Sequence, residues 1–100
     1  MAIRVEFNGR LIDAPRLHST PGGTPLLRLT VDCGEPNDRM PLSVVIKGEA
    51  ARALHAALRP GAEIRAEGLL HGLRGAARRS LLADLEIVAA RIELQSAQSD

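Results

Sequence analysis

The stretch Arg4 to Cys33, RVEFNGRLIDAPRLHSTPGGTPLLRLTVDC, decides the fold. Val5, Phe7 and Leu11 alternate with polar residues near its start, and Leu27, Leu29 and Val31 do the same near its end. Period-two alternation marks strands that are wet on one face and buried on the other. Between the two runs, Pro15, Pro21, Gly22, Gly23 and Pro25 interrupt any regular element, because proline lacks a backbone donor and glycine admits positive φ. The spacing therefore predicts two strands, Ile3 to Asp13 and Pro25 to Cys33, joined by a long loop. Gly9, in mid-strand, permits a sharp bend, and a bent strand followed by a long loop and a second strand is how a small Greek-key barrel begins.

Working outward, Gly34 to Asp38 is dense in turn formers and reads as a hairpin tip. In Pro41 to Gly48 (PLSVVIKG), Leu42, Val44 and Ile46 share the inward face, and Ser43, Val45 and Lys47 the outward one. Val45 is then expected to lie exposed beside Leu26 as an apolar patch. The period next changes: Ala50, Leu54, Ala57 and Leu58 recur at helical spacing, and Arg59-Pro60-Gly61 supplies a basic last turn and a stop. Ile64, Ala66, Gly68 and Leu70 alternate again in a fourth strand, with Gly68 at a tight bend. Leu73 to Ser80 reads as a Gly/Ala/Arg loop. Leu81 to Leu94 reads as the fifth strand, its parity broken near Val88 to Arg91 in the manner of a β-bulge. The expected fold is all-β, a five-stranded barrel with one short helix between strands three and four, spanning 1–94. Residues 95–100 are expected to form a polar, disordered tail.

One hundred residues at 45% apolar content suit one domain with a single core. The single cysteine, Cys33, has no internal partner, and no Cys/His pair has metal-site spacing, so a reducing, cytoplasmic setting is expected, with no metal and no cofactor. No apolar run approaches the roughly 20 residues of a membrane span, and no membrane association is expected. Thirteen basic against twelve acidic side chains leave a net charge of +1. The charge is segregated, however. His71 to Ser80 carries Arg74, Arg78 and Arg79 with no acid, whereas Asp32 to Arg39 holds three acids against one arginine.

The ordered set Gly9, Pro15, Pro21, Gly23 and Pro25 resembles the opening of the primosomal replication protein N family, short relatives of the bacterial single-stranded DNA-binding proteins. The resemblance continues through Met40-Pro41, through Gly48 with Ala50 and Ala51, through Gly61 and Gly68, and into Ala90-Arg91-Ile92-Glu93-Leu94. It thus runs over nearly the whole chain. It implies an oligonucleotide/oligosaccharide-binding (OB) barrel that forms a homodimer, binds single-stranded DNA and works with a replication-restart helicase or other primosomal proteins. The family's basic residue in the first loop stands here as His18, and the hairpin after the second strand is shortened, with its aromatic residues gone.

No catalytic pattern stands out. His18, His55 and His71 fall in three segments, the acids are scattered, and neither Gly-x-Gly-x-x-Gly nor a P-loop occurs, so no enzyme is expected. Strands two and three of an OB barrel, with the loops between strands one and two and between four and five, form its oligonucleotide face. Arg16, His18, Arg28, Lys47, Arg74, Arg78 and Arg79 occupy those positions and are the candidate single-stranded DNA-binding residues. Each phosphate neutralised adds about −0.7 to the log-log salt slope, and four to six such contacts give about micromolar, salt-sensitive binding. Stacking on aromatic rings is excluded, because Phe7 is the sole aromatic residue and its parity points inward. Arg28 or Arg74 can stack in part instead. His18 adds a charge only below about pH 6.5. The alternative is an OB-fold adaptor for replication proteins with little nucleic-acid binding of its own. A larger-type tetrameric binder is a third reading, disfavoured by the absence of a long acidic tail.

Overall fold

The computed structural model describes residues 3–35, 37–72 and 85–95. In chain order the elements are β1 (Ile3–Leu11), β2 (Arg16–Ser19), β3 (Pro25–Asp32), β4 (Pro41–Lys47), α1 (Glu49–Ala57), β5 (Glu63–Gly72) and β6 (Leu85–Leu94). The strands follow one another as β1-β5-β6-β4-β3-β2, and β1 also pairs with β3, which closes a five-stranded barrel and leaves β2 outside the ring. All pairings are antiparallel except β4 with β6, which run in parallel. The five long strands match those predicted within the described residues; Ile12 and Asp13 fall outside the first, while residues 81–84 of the expected fifth strand and the expected loop 73–80 lie outside the described residues.

The core follows from the parity of the strands. Leu27, Leu29 and Val31 of β3 lie inside with Val44 and Ile46 of β4, Ile64 and Ala66 of β5, and Ile87 and Ile92 of β6. Phe7 and Val5 of β1 pack against this cluster half-buried, as their inward parity requires. Removing these side chains from water at about 25 cal/mol per Å2 is the main force holding the barrel shut.

Gly9, Gly34 and Gly68 stand where an added Cβ has no room; on Gly34 it would lie 2.0 Å from the Asp38 carbonyl oxygen. A Cβ on Gly9 would lie 2.4 Å from Val31 Cγ1, at the bend where β1 passes from β5 to β3. On Gly68 it would lie 2.2 Å from the Val88 carbonyl oxygen. There the register jumps: Glu67 faces Arg91 and Gly68 faces Ala89, so Ala90 is the extra residue of a bulge. The broken parity between Val88 and Arg91 is thereby accounted for.

The stretch predicted as a plain loop contains a strand. β2 pairs with β3 from Arg16 opposite Arg28 to Ser19 opposite Pro25. β1 and β2 thus share one edge of β3, with Ile12 N–H donating to the Thr30 carbonyl between them at 2.9 Å. Beyond β2 the chain turns where Gly23 N–H donates to the Thr20 carbonyl and Thr24 N–H to Thr20 Oγ1. Pro15 and Pro21 flank the strand without entering it, so they interrupt nothing.

The helix caps one end of the barrel. Ala51 and Leu58 are buried and Leu54 half-buried, while Ala50 and Ala57 face solvent, so the apolar stripe is 51, 54, 58, one step round from the spacing predicted. Arg59 Nη1 donates to the carbonyls of Ala56 and Leu58 at 3.3 Å, the expected use of a basic residue at a helix C-terminus. At the other chain end, Gln95 N–H donates to the Glu63 carbonyl, so Gln95 is held against β5; the rest of the expected tail, 96–100, lies outside the described residues.

Candidate nucleic-acid interface

Strand register places the outward side chains in rows running around the barrel. One row is Arg16, Arg28, Val45, Val88, Leu69 and Arg4. On one side of it lie His18, Leu26 and Lys47; on the other lie Thr30, Ser43, Glu86 and His71. Four predicted residues, Arg16, His18, Arg28 and Lys47, therefore gather on the outer surface of β2, β3 and β4, and all four are exposed. Arg74, Arg78 and Arg79 lie outside the described residues. Placing Arg16 directly opposite Arg28 sets two like charges side by side, an arrangement unfavourable in the free protein and relieved by an anion.

Val45 does not form the exposed patch expected. Its parity is outward, yet it is only 5% exposed. Next to it, the Arg28 guanidinium forms an ion pair with Glu86 of β6 at 2.5 Å, so that side chain reaches across β4 between Ser43 and Val45. Two strand spacings, about 10 Å, separate β3 from β6. The aliphatic stem of arginine covers apolar surface well. Leu26 and Val88 are half-buried, and Leu69 is exposed.

The rest of the strand surface is wired differently. Arg10 pairs with Glu63 at 3.0 Å, Arg65 with Glu6, and Arg91 with Glu67 at 2.9 Å and Glu93 at 3.6 Å. The hydrogen bond and charge of Arg91 hold the Glu67 carboxyl below its ordinary pKa, and those of Glu67 in turn raise the pKa of the Arg91 guanidinium. These arginines already face carboxylates across β1, β5 and β6, which favours a solvated, self-neutralised surface over a phosphate track. Among the described residues none forms an ion pair with Arg16 or Lys47.

A cleft of about 890 Å3 opens between the ends of β1 and β3, lined in part by Arg10, Asp32, Cys33, Arg39 and Glu63. Within it Arg10 and Glu63 pair with each other, and Asp32 is held by backbone donors. Asp32 Oδ1 accepts the N–H groups of Met40 and Gly34 at 2.9 and 3.0 Å, and these bonds lower its pKa. Burial and the neighbouring Asp32 charge push the Cys33 thiol up to about 11, far from a nucleophile's range. Among the described residues no group of three or more His, Cys, Asp or Glu is placed to hold a metal ion. Nor is any helix there long and apolar enough to cross a membrane.

No family model matches the chain, and no curated protein matches it. Among solved structures, the crystal structure of the SSB domain of a protein from Synechococcus sp. superposes with a TM-score of 0.75. That similarity covers 93% of this chain and 94% of the other, at 22% sequence identity. This chain has an OB fold. The shared architecture includes the closed barrel and the helix between the third and fourth barrel strands, here β4 and β5. In this fold the outer surface of β3 and β4, with the adjoining loops, is the part that oligonucleotides meet. Sequence reasoning brought Arg16, Arg28 and Lys47 to that surface and placed Ser43 on its outward face, but missed Glu86, which lies beside Ser43. Nothing local signals Glu86, since it is 58 residues from Arg28 and meets it only through the parallel β4–β6 register.

Proposed function

We propose that this chain binds single-stranded DNA through electrostatic contacts to the phosphodiester backbone, in the manner of the primosomal replication protein N family and in the cytoplasmic restart of replication. The observation that carries this reading is the gathering of Arg16, His18, Arg28 and Lys47 on the outer surface of β2, β3 and β4, where no described residue forms an ion pair with Arg16 or Lys47, whereas Arg10, Arg65 and Arg91 are neutralised by carboxylates. The Synechococcus structure is titled an SSB domain, the abbreviation used for single-stranded DNA binding, and supports the same reading. Arg74, Arg78 and Arg79, in the segment joining β5 to β6, extend the cationic set. Residues 1–94 act as one binding domain without a cofactor. With no exposed aromatic ring, affinity comes from counterion release, and binding is micromolar in order of magnitude and steeply salt-dependent.

Assembly as a homodimer is part of the proposal. β1 pairs with β5 from Ile3 to Arg10 but meets β3 only at Arg10 and Leu11, so among the described residues its other edge has no strand partner over its first residues, where Ile3 is 54% exposed. Such an edge calls for cover, and a second copy supplies it. A restart helicase or other primosomal protein is the expected partner.

Titration of fluorescently labelled oligo-dT at low and moderate salt tests the reading by anisotropy; absence of binding at low salt overturns it. The burial of Val45 and the engagement of Arg28 by Glu86 favour a second reading, an OB-fold adaptor that recruits replication proteins. Co-purification of a helicase unaffected by nuclease and by substitution of Arg74, Arg78 and Arg79 would select it.

A further inference from the structure

Glu86 lies in the middle of the proposed binding surface. It stands on β6 opposite Ser43 in the parallel register and opposite His71 on β5, one row from the line of Arg16 and Arg28. Its carboxylate meets the Arg28 guanidinium at 2.5 Å and lies 3.3 Å from Ser43 Oγ, and its side chain is only 13% exposed. A carboxylate presents guanidinium with the same kind of charged oxygen pair that a phosphate does. Partial burial makes this pair firmer than a fully solvated one.

We infer that Glu86 is an internal competitor for the nucleic-acid backbone: it holds the Arg28 guanidinium in the free protein and surrenders it to a phosphate in the complex. The inference rests on the single-stranded DNA reading and deepens it. Two observations fit together. Arg28, in the strand between β2 and β4, is already engaged by Glu86, and the like charge of Arg16 directly opposite it favours its turning toward β6. The exchange also lowers salt sensitivity, because the carboxylate released must itself be screened.

The test compares wild type with Glu86→Gln, which keeps the acceptor for Ser43 and removes the charge, by anisotropy of labelled oligo-dT over a salt series. Glu86→Gln is expected to bind roughly five- to tenfold tighter at low salt and to steepen the log-log slope by about 0.7. In an Arg28→Met background the same change should gain about twofold or less, since the two residues act as a pair. Circular dichroism checks folding, and Glu86→Thr, a good strand former, replaces the glutamine variant if that one is unfolded. Unchanged or weaker binding, or a gain undiminished without Arg28, overturns the inference while leaving wild-type DNA binding intact. Failure of both proteins to bind DNA at low salt overturns the functional reading and this inference with it.

Discussion

Replacing the buried Gly68 with alanine should unsettle the barrel. The added Cβ would stand 2.2 Å from the Val88 carbonyl oxygen, 2.6 Å from Ala89 Cα and 2.9 Å from the Val88 carbonyl carbon. All three are backbone atoms of β6, so no rotamer change can relieve the clash; β5 and β6 must part at the bulge where Ala90 is already unpaired. Overpacking of this kind costs about 1–3 kcal/mol or more, offset by about 0.4–1 kcal/mol from the restricted unfolded chain. A net loss of about 2 kcal/mol lowers the melting temperature of a domain this size by roughly 8–16 °C. Thermal unfolding followed by far-ultraviolet circular dichroism reads this directly. Gly22→Ala is the control, since a Cβ there meets nothing within 4 Å, and it should melt with the wild type. If Gly68→Ala also melts within about 2 °C of wild type, the close approach of β5 to β6 is not what requires glycine and the reasoning fails.

The Arg16→Ala/Lys47→Ala double variant should make the salt slope of oligo-dT binding shallower by about 1.4, the share of two phosphates, whereas Arg65→Ala on the ion-paired surface should leave it unchanged; anisotropy distinguishes the two. Asp32→Ala should lower thermal stability at neutral pH. The Asp32 pKa is depressed by the Met40 and Gly34 N–H groups, so its contribution is present above its unfolded value near 3.9 and lost as pH falls through the folded one; the gap in melting temperature should close below about pH 4. Cys33, its thiol pushed up to about 11, should react with iodoacetamide slowly at pH 8 in the native protein and readily in denaturant, as mass spectrometry will show.

Parity made much of this structure legible from the residues alone. Leu27, Leu29 and Val31 sit inside as their alternation with Arg28 and Thr30 requires, and the disturbed alternation after Val88 located the bulge before any register was known. What failed did so for identifiable reasons. β2 is only Arg16 to Ser19, all exposed and bracketed by prolines, so it carries no burial pattern and owes its existence to the free edge of β3. Val45 was read as exposed because parity reports which face a residue occupies, not how far that face is covered. The helix stripe slipped by one position because Ala50 and Ala51 are chemically alike and only packing against the barrel selects between them. In the candidate site, the cations on β2, β3 and β4 were readable from strand order, whereas their partner Glu86 depended on a pairing between chain segments 58 residues apart.

The division of β3's edge between two strands separates two jobs that a single long hairpin would combine. Closure resides in Arg10 and Leu11 facing Asp32 and Val31, while Arg16 to Thr24 projects as a cantilevered arm fastened to the wall along its length. Lengthening the arm at Gly22, or exchanging Arg16 and His18 for other groups, changes its reach and grip without loosening a hoop of the cylinder. Binding preference on this scaffold is therefore free to drift while the interior stays as it is.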